Sequence, residues 1–345
     1  MFRCLELAVL GCGNVAPNPM VGSVLVYKDT IIGEGYHQQY GQAHAEVNCI
    51  NSVLEADKYL ITQSILYVSL EPCSHFGKTP PCSNLIIASN IKKVVIGCRD
   101  SYEEVNGKGI EKLQQNGIDV AVGILEEACK NLNKRFFTFH ENKRPYIILK
   151  WAETANGKIA ANANERLLIS NDFSNRLVHK WRHEEAGILV GTNTALLDNP
   201  SLTNRLWHGK SPIRLVVDMQ LKLPTDIQIF NQQIPTIVFN TIRQSVQKNL
   251  TYYLLNTQHY LIEQIVQAAY QLNIQSLLVE GGCKLLQSFI DSSLWDEARV
   301  IVNDNLVIDE GLHAPILSHH DIIKKDTVFS DTITYFSNKN IGNKA

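Results

Sequence analysis

Three side chains in the first quarter of the chain are suited to binding a transition metal. They are His44, in GQAHAEVNC (41–49), and Cys73 and Cys82, in EPCSHFGKTPPC (71–82). Imidazole and thiolate are good zinc ligands, and three protein ligands leave a fourth position for water, as in catalytic zinc sites. Zinc lowers the pKa of such a water, so that hydroxide is available near neutral pH. The sequence therefore predicts a Zn²⁺ site at His44, Cys73 and Cys82.

Such a site needs a proton-transferring group that is not itself a ligand, and Glu46 is the candidate. Residues two apart point away from each other in the middle of a helix, so we expect His44 at the very start of a helix. Cys82 also precedes an apolar helical pattern, and a helix N-terminus favours a thiolate. The spacing predicts Glu46 as the catalytic acid–base.

The loop between the two cysteines is unusually long. Zinc deaminases carry His-x-Glu followed by Pro-Cys-x-x-Cys, whereas eight residues separate Cys73 from Cys82 here. The longer loop could form a lid over a larger or more charged molecule than a nucleoside, and His75 and Lys78 within it suit a phosphate. Alternatively, His75 is a fourth ligand that closes a structural zinc site. That alternative explains neither Glu46 nor the helix-start placement.

Bulk properties restrict the class of protein. A chain of 345 residues predicts two domains, and a net charge of −2 without a basic stripe argues against a nucleic-acid partner. The apolar stretches are too short for a transmembrane helix, and the N-terminus does not resemble a signal peptide. We therefore expect no membrane association and a cytoplasmic location, in which the eight cysteines do not form a disulfide framework.

Helical and strand patterns alternate along the first part of the chain. Two strands around a Lys28-Asp29 turn (22–35) precede a helix (43–56), and the polar stretch 139–145 is the best linker candidate. Further strands are predicted at 65–70, 93–98 and 119–124, and further helices at 82–90 and 109–117. This alternation indicates a layered α/β sheet.

A second α/β run follows the linker. Its strands are rich in Val, Ile and Leu with little alternation, as in sheets covered on both faces. They are predicted at 146–152, 186–191, 213–218, 236–240, 276–282 and 298–303, with a late edge strand at 332–336.

Several motifs resemble the bifunctional riboflavin-biosynthesis deaminase–reductase family. The first half is similar through APNPMVGSVLV (16–26), GEGYH (33–37), HAEV (44–47), YVSLEPCSHFGKTPPC (67–82) and NGKGI (106–110). The second is similar through RPYIILKWAETANGKIA (144–160), ILVGTNTALLDNPSLTNR (188–205), PIRLVVD (212–218) and LLVEGG (277–282). The resemblance implies a cytidine-deaminase-like three-layer domain over 1–143 and a dihydrofolate-reductase-like domain over 144–345.

The resemblance also implies the reactions and their residues. The first domain would hydrolyse the 2-amino group of 2,5-diamino-6-(5-phosphoribosylamino)pyrimidin-4-one, with zinc at His44, Cys73 and Cys82 and with Glu46 as proton shuttle. The second would use NADPH to reduce the ribosyl group to ribityl. Substrate contacts would come from Asn18, His75, Lys78, Lys150, Arg182, Leu202, Arg205 and Glu280. Cofactor contacts would come from Ala152, Leu168, Thr194, Asp198, Gly281 and Gly282. The resemblance suggests a homodimer or larger homo-oligomer.

The chain departs from the family pattern mainly in its second half. Asn156 stands where the family usually has Asp, and Arg166 and Leu168 replace a Ser and a Trp. RDSYEEVNGKGI (99–110) replaces the usual Asp-Pro-Asn-Pro in the first half. One alternative is therefore a deaminase whose reductase domain has lost activity. A nucleic-acid base deaminase is disfavoured, because no basic, aromatic-rich surface is evident.

Overall fold

The computed structural model describes residues 1–77, 80–161 and 167–340 and divides into two compact units, Met1–Lys143 and Arg144–Ala345. Within the described residues, no helix has both the length and the apolar character needed to cross a bilayer.

Unit 1 is built on a five-stranded mixed sheet with the strand order β2-β1-β3-β4-β5. Strand β1 pairs antiparallel with β2 and β3, whereas β3, β4 and β5 are parallel. The elements are α1 (Phe2–Val9), β1 (Gly22–Tyr27), β2 (Thr30–Tyr36), α2 (Ala45–Asn51), a 3₁₀ helix (Glu55–Gln63), β3 (Ile65–Leu70), α3 (Cys82–Ala88), β4 (Lys93–Cys98), α4 (Lys108–Gln115), β5 (Asp119–Val122), α5 (Glu126–Leu132) and α6 (Lys134–Asn142).

Helices cover both faces of this sheet and make a three-layer unit. Cys49 of α2, Ile86 of α3 and Leu113 of α4 pack with the strands in one buried cluster. On the other face, Cys4 of α1 and Cys129 of α5 are fully buried in separate clusters. The predicted three-layer class is confirmed.

Two features of unit 1 differ from the sequence prediction. Helix α2 is shorter than 43–56, because the chain leaves the helix at Ser52 and then forms the 3₁₀ helix. The proposed linker 139–145 begins inside a helix, because α6 continues to Asn142 and buries Phe136, Phe137 and Phe139. The polar residues at 140–142 are typical of a linker, but the packing of the buried phenylalanines stabilises the helix.

Unit 2 contains a ten-stranded sheet with the order β11-β12-β10-β9-β8-β13-β6-β14-β17-β16, and β15 pairs with β7 in a small separate sheet. Its elements are β6 (Tyr146–Thr154), β7 (Lys158–Ala160), α7 (Asp172–Glu184), β8 (Gly187–Gly191), α8 (Thr192–Asp198), β9 (Ile213–Val217), a 3₁₀ turn (Gln228–Phe230), β10 (Thr236–Asn240), β11 (Ser245–Gln247), β12 (Leu250–Leu254), α9 (Leu261–Gln271), β13 (Ser276–Glu280), α10 (Cys283–Asp291), β14 (Glu297–Asn303), β15 (Leu312–His313), β16 (His320–Val328) and β17 (Asp331–Asn338).

Strand β13 occupies the centre of this sheet, between the parallel strands β8 and β6. Ile265 of α9 and Phe289 of α10 are buried in the core of one face, and Val178 of α7 and Ala195 of α8 are buried in clusters of the other. The chain adds β9 and β10 outward from β8 and then returns to insert β13 between β8 and β6. The order of strand addition therefore reverses at β13. Ligands of such sheets bind at the carboxyl ends of the strands near such a reversal.

The predicted edge strand at 332–336 is wrong in position. It belongs to β17, which lies between β14 and β16, and β16 is the edge. Ile333 is fully buried on β17, whereas most of β16 is exposed. An exposed strand lacks the apolar pattern by which strands are recognised, so β16 escaped prediction.

Candidate functional site

The structure brings the three predicted metal ligands together. The Nδ1 atom of His44 lies 3.6 Å from Cys73 Sγ and 3.3 Å from Cys82 Sγ. The ligand atoms all lie within 4.8 Å of one another, and His44, Cys73 and Cys82 form the one such group of three among the described residues. The separation and the N/S/S donor set fit a zinc ion with one position left for another ligand.

Two helix starts bring these ligands together. His44 is the extended residue immediately before α2, and Cys82 is the first residue of α3. Hydrogen bonding to Cys82 and His44 lowers the pKa of the Cys73 thiol, although burial opposes this. A lowered pKa favours the thiolate, which is the form that binds metal.

Glu46 lies in the first turn of α2 and is only 3 % exposed. Burial raises the pKa of Glu46 to about 6, the charge of Cys73 adds to the effect, and His44 opposes it. A carboxyl group in this pKa range both accepts and returns a proton near neutral pH. Close packing sets its position, because a Cβ on Gly35 of β2 would come within 2.2 Å of the Cys49 nitrogen of α2.

His37 is a site residue that the sequence analysis did not single out, although it lies in the GEGYH motif. Its Nε2 atom lies 3.2 Å from the side-chain nitrogen of Asn18, and its Nδ1 atom lies 3.0 Å from the Ala43 carbonyl oxygen. Its ring meets that of His44 edge-on, with 5.2 Å between centroids. The predicted substrate residue Asn18 is thus connected through His37 to the residue that precedes the metal ligand.

The long cysteine loop is described except for Lys78 and Thr79, so the predicted role of Lys78 lies outside the described residues. His75 is part of the described loop, and its Nε2 atom lies 3.9 Å from a carboxylate oxygen of Glu104. The Nδ1 atom of His75 is buried without a hydrogen-bond partner among the described residues. No side-chain atom of His75 belongs to the metal-ligating group, which disfavours the closed structural site.

Glu71 is a second residue that the sequence analysis missed. Its carboxylate accepts hydrogen bonds from the backbone N–H groups of Asp100 (3.2 Å), Gly107 (3.0 Å), Gly109 (3.0 Å) and Ile110 (3.3 Å). Because Pro72 and Cys73 follow Glu71 directly, these hydrogen bonds connect the 100–110 segment to the cysteine loop (71–82). The segment that departs from the family pattern is therefore held in place by Glu71.

A second polar cluster lies in unit 2, where Lys150 of β6 is directly opposite Glu280 of β13. The Arg182 guanidinium of α7 donates two hydrogen bonds to the Glu280 carboxylate, at 2.9 and 2.7 Å. Burial would raise the pKa of Glu280, but the charge and hydrogen bonds of Arg182 lower it overall. Burial lowers the pKa of Lys150, and the charge of Glu280 opposes this. The structure thus joins three predicted substrate residues.

The other two predicted substrate residues of unit 2, Leu202 and Arg205, lie on one loop beside this cluster. Arg182 also donates to the Thr203 carbonyl oxygen at 3.2 Å, which connects the cluster to residues 201–206. Arg205 is exposed, and its guanidinium donates to Ser201 Oγ at 2.8 Å. The Leu202 side chain is 2 % exposed and packs in a core cluster, so any substrate contact of Leu202 would be through its backbone.

The predicted cofactor residues Thr194, Gly281 and Gly282 are adjacent. Both glycines have positive φ angles, +79° and +77°, and they lead from β13 into the nine-residue helix α10. A Cβ on Gly281 or Gly282 would lie 3.0 or 3.1 Å from side-chain atoms of Thr194. Two glycines at a helix start, at the carboxyl end of a central strand, fit the close approach of a dinucleotide phosphate.

The remaining predicted cofactor residues are more dispersed. Ala152 is half-buried on β6, two residues beyond Lys150, and Asp198 ends α8, the helix that carries Thr194. Leu168 is 72 % exposed, and Arg166 lies outside the described residues. No described contact joins Leu168 to the glycine turn, so its role stays a prediction.

Comparison with known proteins divides the chain in a similar way. Residues 2–98 match the family model of the cytidine and deoxycytidylate deaminase zinc-binding region, and residues 145–307 match that of the RibD C-terminal domain. The riboflavin biosynthesis protein RibD of Aquifex aeolicus is 38 % identical over 317 residues, which are 90 % of this chain and 88 % of the relative. That of Escherichia coli is 34 % identical over 325 residues, covering 89 % and 87 % of the two chains.

Solved structures show the same likeness. A diaminohydroxyphosphoribosylaminopyrimidine deaminase/5-amino-6-(5-phosphoribosylamino)uracil reductase of Thermotoga maritima superposes with a TM-score of 0.89 at 34 % identity, covering 98 % of this chain and 97 % of that one. RibD of Acinetobacter baumannii superposes with a TM-score of 0.88 at 27 % identity, covering 97 % of each chain. Both likenesses extend over the two units.

Proposed function

The chain belongs to the RibD family of bifunctional riboflavin-biosynthesis enzymes, and on this premise we propose which of its residues carry the deaminase and the reductase activities. The deaminase is assigned to residues 1–143 and the reductase to residues 144–345. The substrate is 2,5-diamino-6-(5-phosphoribosylamino)pyrimidin-4-one, whose ring amino group is replaced by oxygen before the ribosyl group is reduced.

In unit 1, His44, Cys73 and Cys82 would hold the zinc ion, which activates water near neutral pH when bound. Glu46 would move protons between water and the amino group that leaves as ammonia. Its pKa of about 6 suits both directions of transfer. Asn18 would bind the pyrimidine, and His75, together with Lys78, would bind the phosphoribosyl part.

In unit 2, Gly281, Gly282 and Thr194 would hold NADPH, which supplies a hydride when bound. Ala152, Leu168 and Asp198 would complete that binding site. The Arg182–Glu280 ion pair and the neighbouring Lys150 would orient the sugar. The guanidinium of Arg205 is exposed on the neighbouring loop and would attract the phosphate.

One observation carries the deaminase assignment: a buried carboxyl group lies two residues after a metal-ligating histidine, where a structural zinc site has no use for it. The test is Glu46→Gln. The variant should bind one zinc per chain, as measured by elemental analysis, and should lose deamination by at least about a hundredfold. Its NADPH-dependent reduction is the internal control and should be unchanged. Full deamination by Glu46→Gln would overturn the assignment.

Similarity to bifunctional deaminase/reductases over both units supports two working activities rather than a deaminase alone. Asn156, one of the departures from the family pattern, accepts a hydrogen bond from Thr154 and donates one to the Ile308 carbonyl oxygen at 2.8 Å. Both bonds tie the β6–β7 turn, so the substitution serves the local fold. The test is oxidation of NADPH with 5-amino-6-(5-phosphoribosylamino)uracil, followed by absorbance. Absence of turnover by protein that still deaminates would support the single-activity alternative.

Two wider assignments complete the proposal. We place the protein in the cytoplasm, where its eight free cysteines would stay reduced. We also expect a homodimer or larger assembly, and light scattering of the purified chain would test it. A mass of 38.8 kDa, that of a single chain, would contradict this expectation.

A further inference from the structure

One buried histidine of α7 contacts the loop that carries Leu202 and Arg205. His179 is 4 % exposed. Its Nδ1 atom accepts hydrogen bonds from the backbone N–H groups of Arg205, at 3.0 Å, and Leu206, at 3.4 Å. One ring nitrogen thus binds two consecutive amides of this loop.

These bonds determine the protonation state of the ring. A nitrogen that accepts N–H bonds carries no proton, so the imidazole is neutral and its proton is on Nε2. Burial lowers the pKa of His179 to about 4, the positive charges of Arg182, Arg205 and Lys150 add to this effect, and Glu280 opposes it. The acceptor therefore persists throughout the neutral pH range.

The same loop is constrained at two other points. Arg182, one turn after His179 on α7, donates to the Thr203 carbonyl oxygen at 3.2 Å. Leu202 has a φ of +53° and a buried side chain, which is a strained backbone for a residue other than glycine. Such a conformation persists only where the surrounding contacts determine it, and here the buried Leu202 side chain on one side and the α7 contacts to residues 203–206 on the other hold the loop.

We propose that His179 is a positioning residue of the reductase, which holds the 201–206 loop so that Arg205 faces the substrate. The inference rests on the proposed reductase function of unit 2. His179 takes no part in hydride transfer. Its effect is on substrate binding, and the Arg182–Glu280 pair provides the rigid neighbour against which the loop is held.

The test compares two substitutions at one position in the full chain. The Oδ1 atom of an asparagine side chain can occupy the place of histidine Nδ1, whereas leucine fills the space without an acceptor. We expect His179→Leu to raise the KM for 5-amino-6-(5-phosphoribosylamino)uracil at least about tenfold, with a smaller change in kcat and in the KM for NADPH. His179→Asn should remain within about threefold of the parent, since it restores the acceptor. Arg176→Ala, at an exposed position of α7, is the control and should match the parent.

Two further measurements separate the causes of failure. Deamination by the same preparations shows that unit 1 is folded and that the protein is correctly quantified, and a KM for NADPH close to that of the parent shows that unit 2 is folded. Hydrogen exchange at the amides of Arg205 and Leu206 should be faster in His179→Leu than in the parent or in His179→Asn. If the parent does not reduce the substrate, the proposed reductase function fails, and amide exchange alone still tests the positioning. Equal KM values, or equal exchange, in the leucine and asparagine variants would overturn the inference.

Discussion

Removal of the Glu280 charge should destabilise unit 2 strongly. The carboxylate accepts two hydrogen bonds from Arg182, and the two side chains are only 10 % and 12 % exposed. In Glu280→Gln, the positive charge of Arg182 would remain largely buried without its counter-charge, beside the half-buried Lys150. Loss of one member of a buried pair costs about 3–5 kcal/mol, roughly a fifth or more of the stability of an ordinary domain.

Tryptophan fluorescence can report this loss from unit 2 alone. All four tryptophans, at positions 151, 181, 207 and 295, belong to unit 2. With a urea dependence of about 2 kcal/mol per molar, the unfolding midpoint should fall by roughly 1.5–2.5 M. Glu263→Gln, an exposed position on α9, is the matched control and should change the free energy of unfolding by less than about 0.5 kcal/mol.

The pH dependence provides a second check on the same reasoning. The pKa of Glu280 is lowered in the folded state, so its stabilising contribution is present above the ordinary glutamate pKa of 4.5 and is lost as the pH falls. The difference between the parent and Glu280→Gln should therefore shrink in acid. A free energy of unfolding at pH 7 within about 1 kcal/mol of the parent would refute the argument that the buried guanidinium needs this carboxylate.

Three further predictions concern other parts of the sites. Burial, together with the charges of Glu71 and Cys73, raises the pKa of Asp100 to about 7. The free energy of unfolding of unit 1 should therefore fall as the pH rises from about 4 to 7, by at most about 1.4 kcal/mol per pH unit. Hydrogen exchange should report this fall in the parent protein and should not report it in Asp100→Asn. Glu71→Gln places an N–H donor against backbone N–H donors, so deamination should slow at least about tenfold while reduction is unchanged. Equal deamination rates in the variant and the parent would show that the 100–110 segment does not need Glu71. Gly282→Val strains a φ of +77° and crowds Thr194, so the KM for NADPH should rise at least about tenfold, and an unchanged KM would place the cofactor elsewhere.

Most strands were predictable because their patterns are local. The hairpin around Lys28 and Asp29 and the unbroken apolar strands of unit 2 are visible as short runs of the residue types that sheets bury. Helix α6 and strand β16 could not be predicted in the same way, and the two reasons are opposite. Polar residues at the end of α6 are tolerated because its phenylalanines are buried, and β16 is an exposed edge whose pairing comes from β17.

The sequence alone determined the types and order of the groups that do chemistry: a histidine two residues before a glutamate, two cysteines around a polar loop, and glycines between a strand and a helix. Side-chain chemistry and spacing along the chain are sufficient for that. Only the tertiary structure showed that Glu71 ties down the 100–110 segment, that His37 links Asn18 to the metal site, and that His179 binds the loop of Arg205. Each of these contacts joins residues from 19 to 36 positions apart, and hydrogen bonds of that kind depend on how the elements pack.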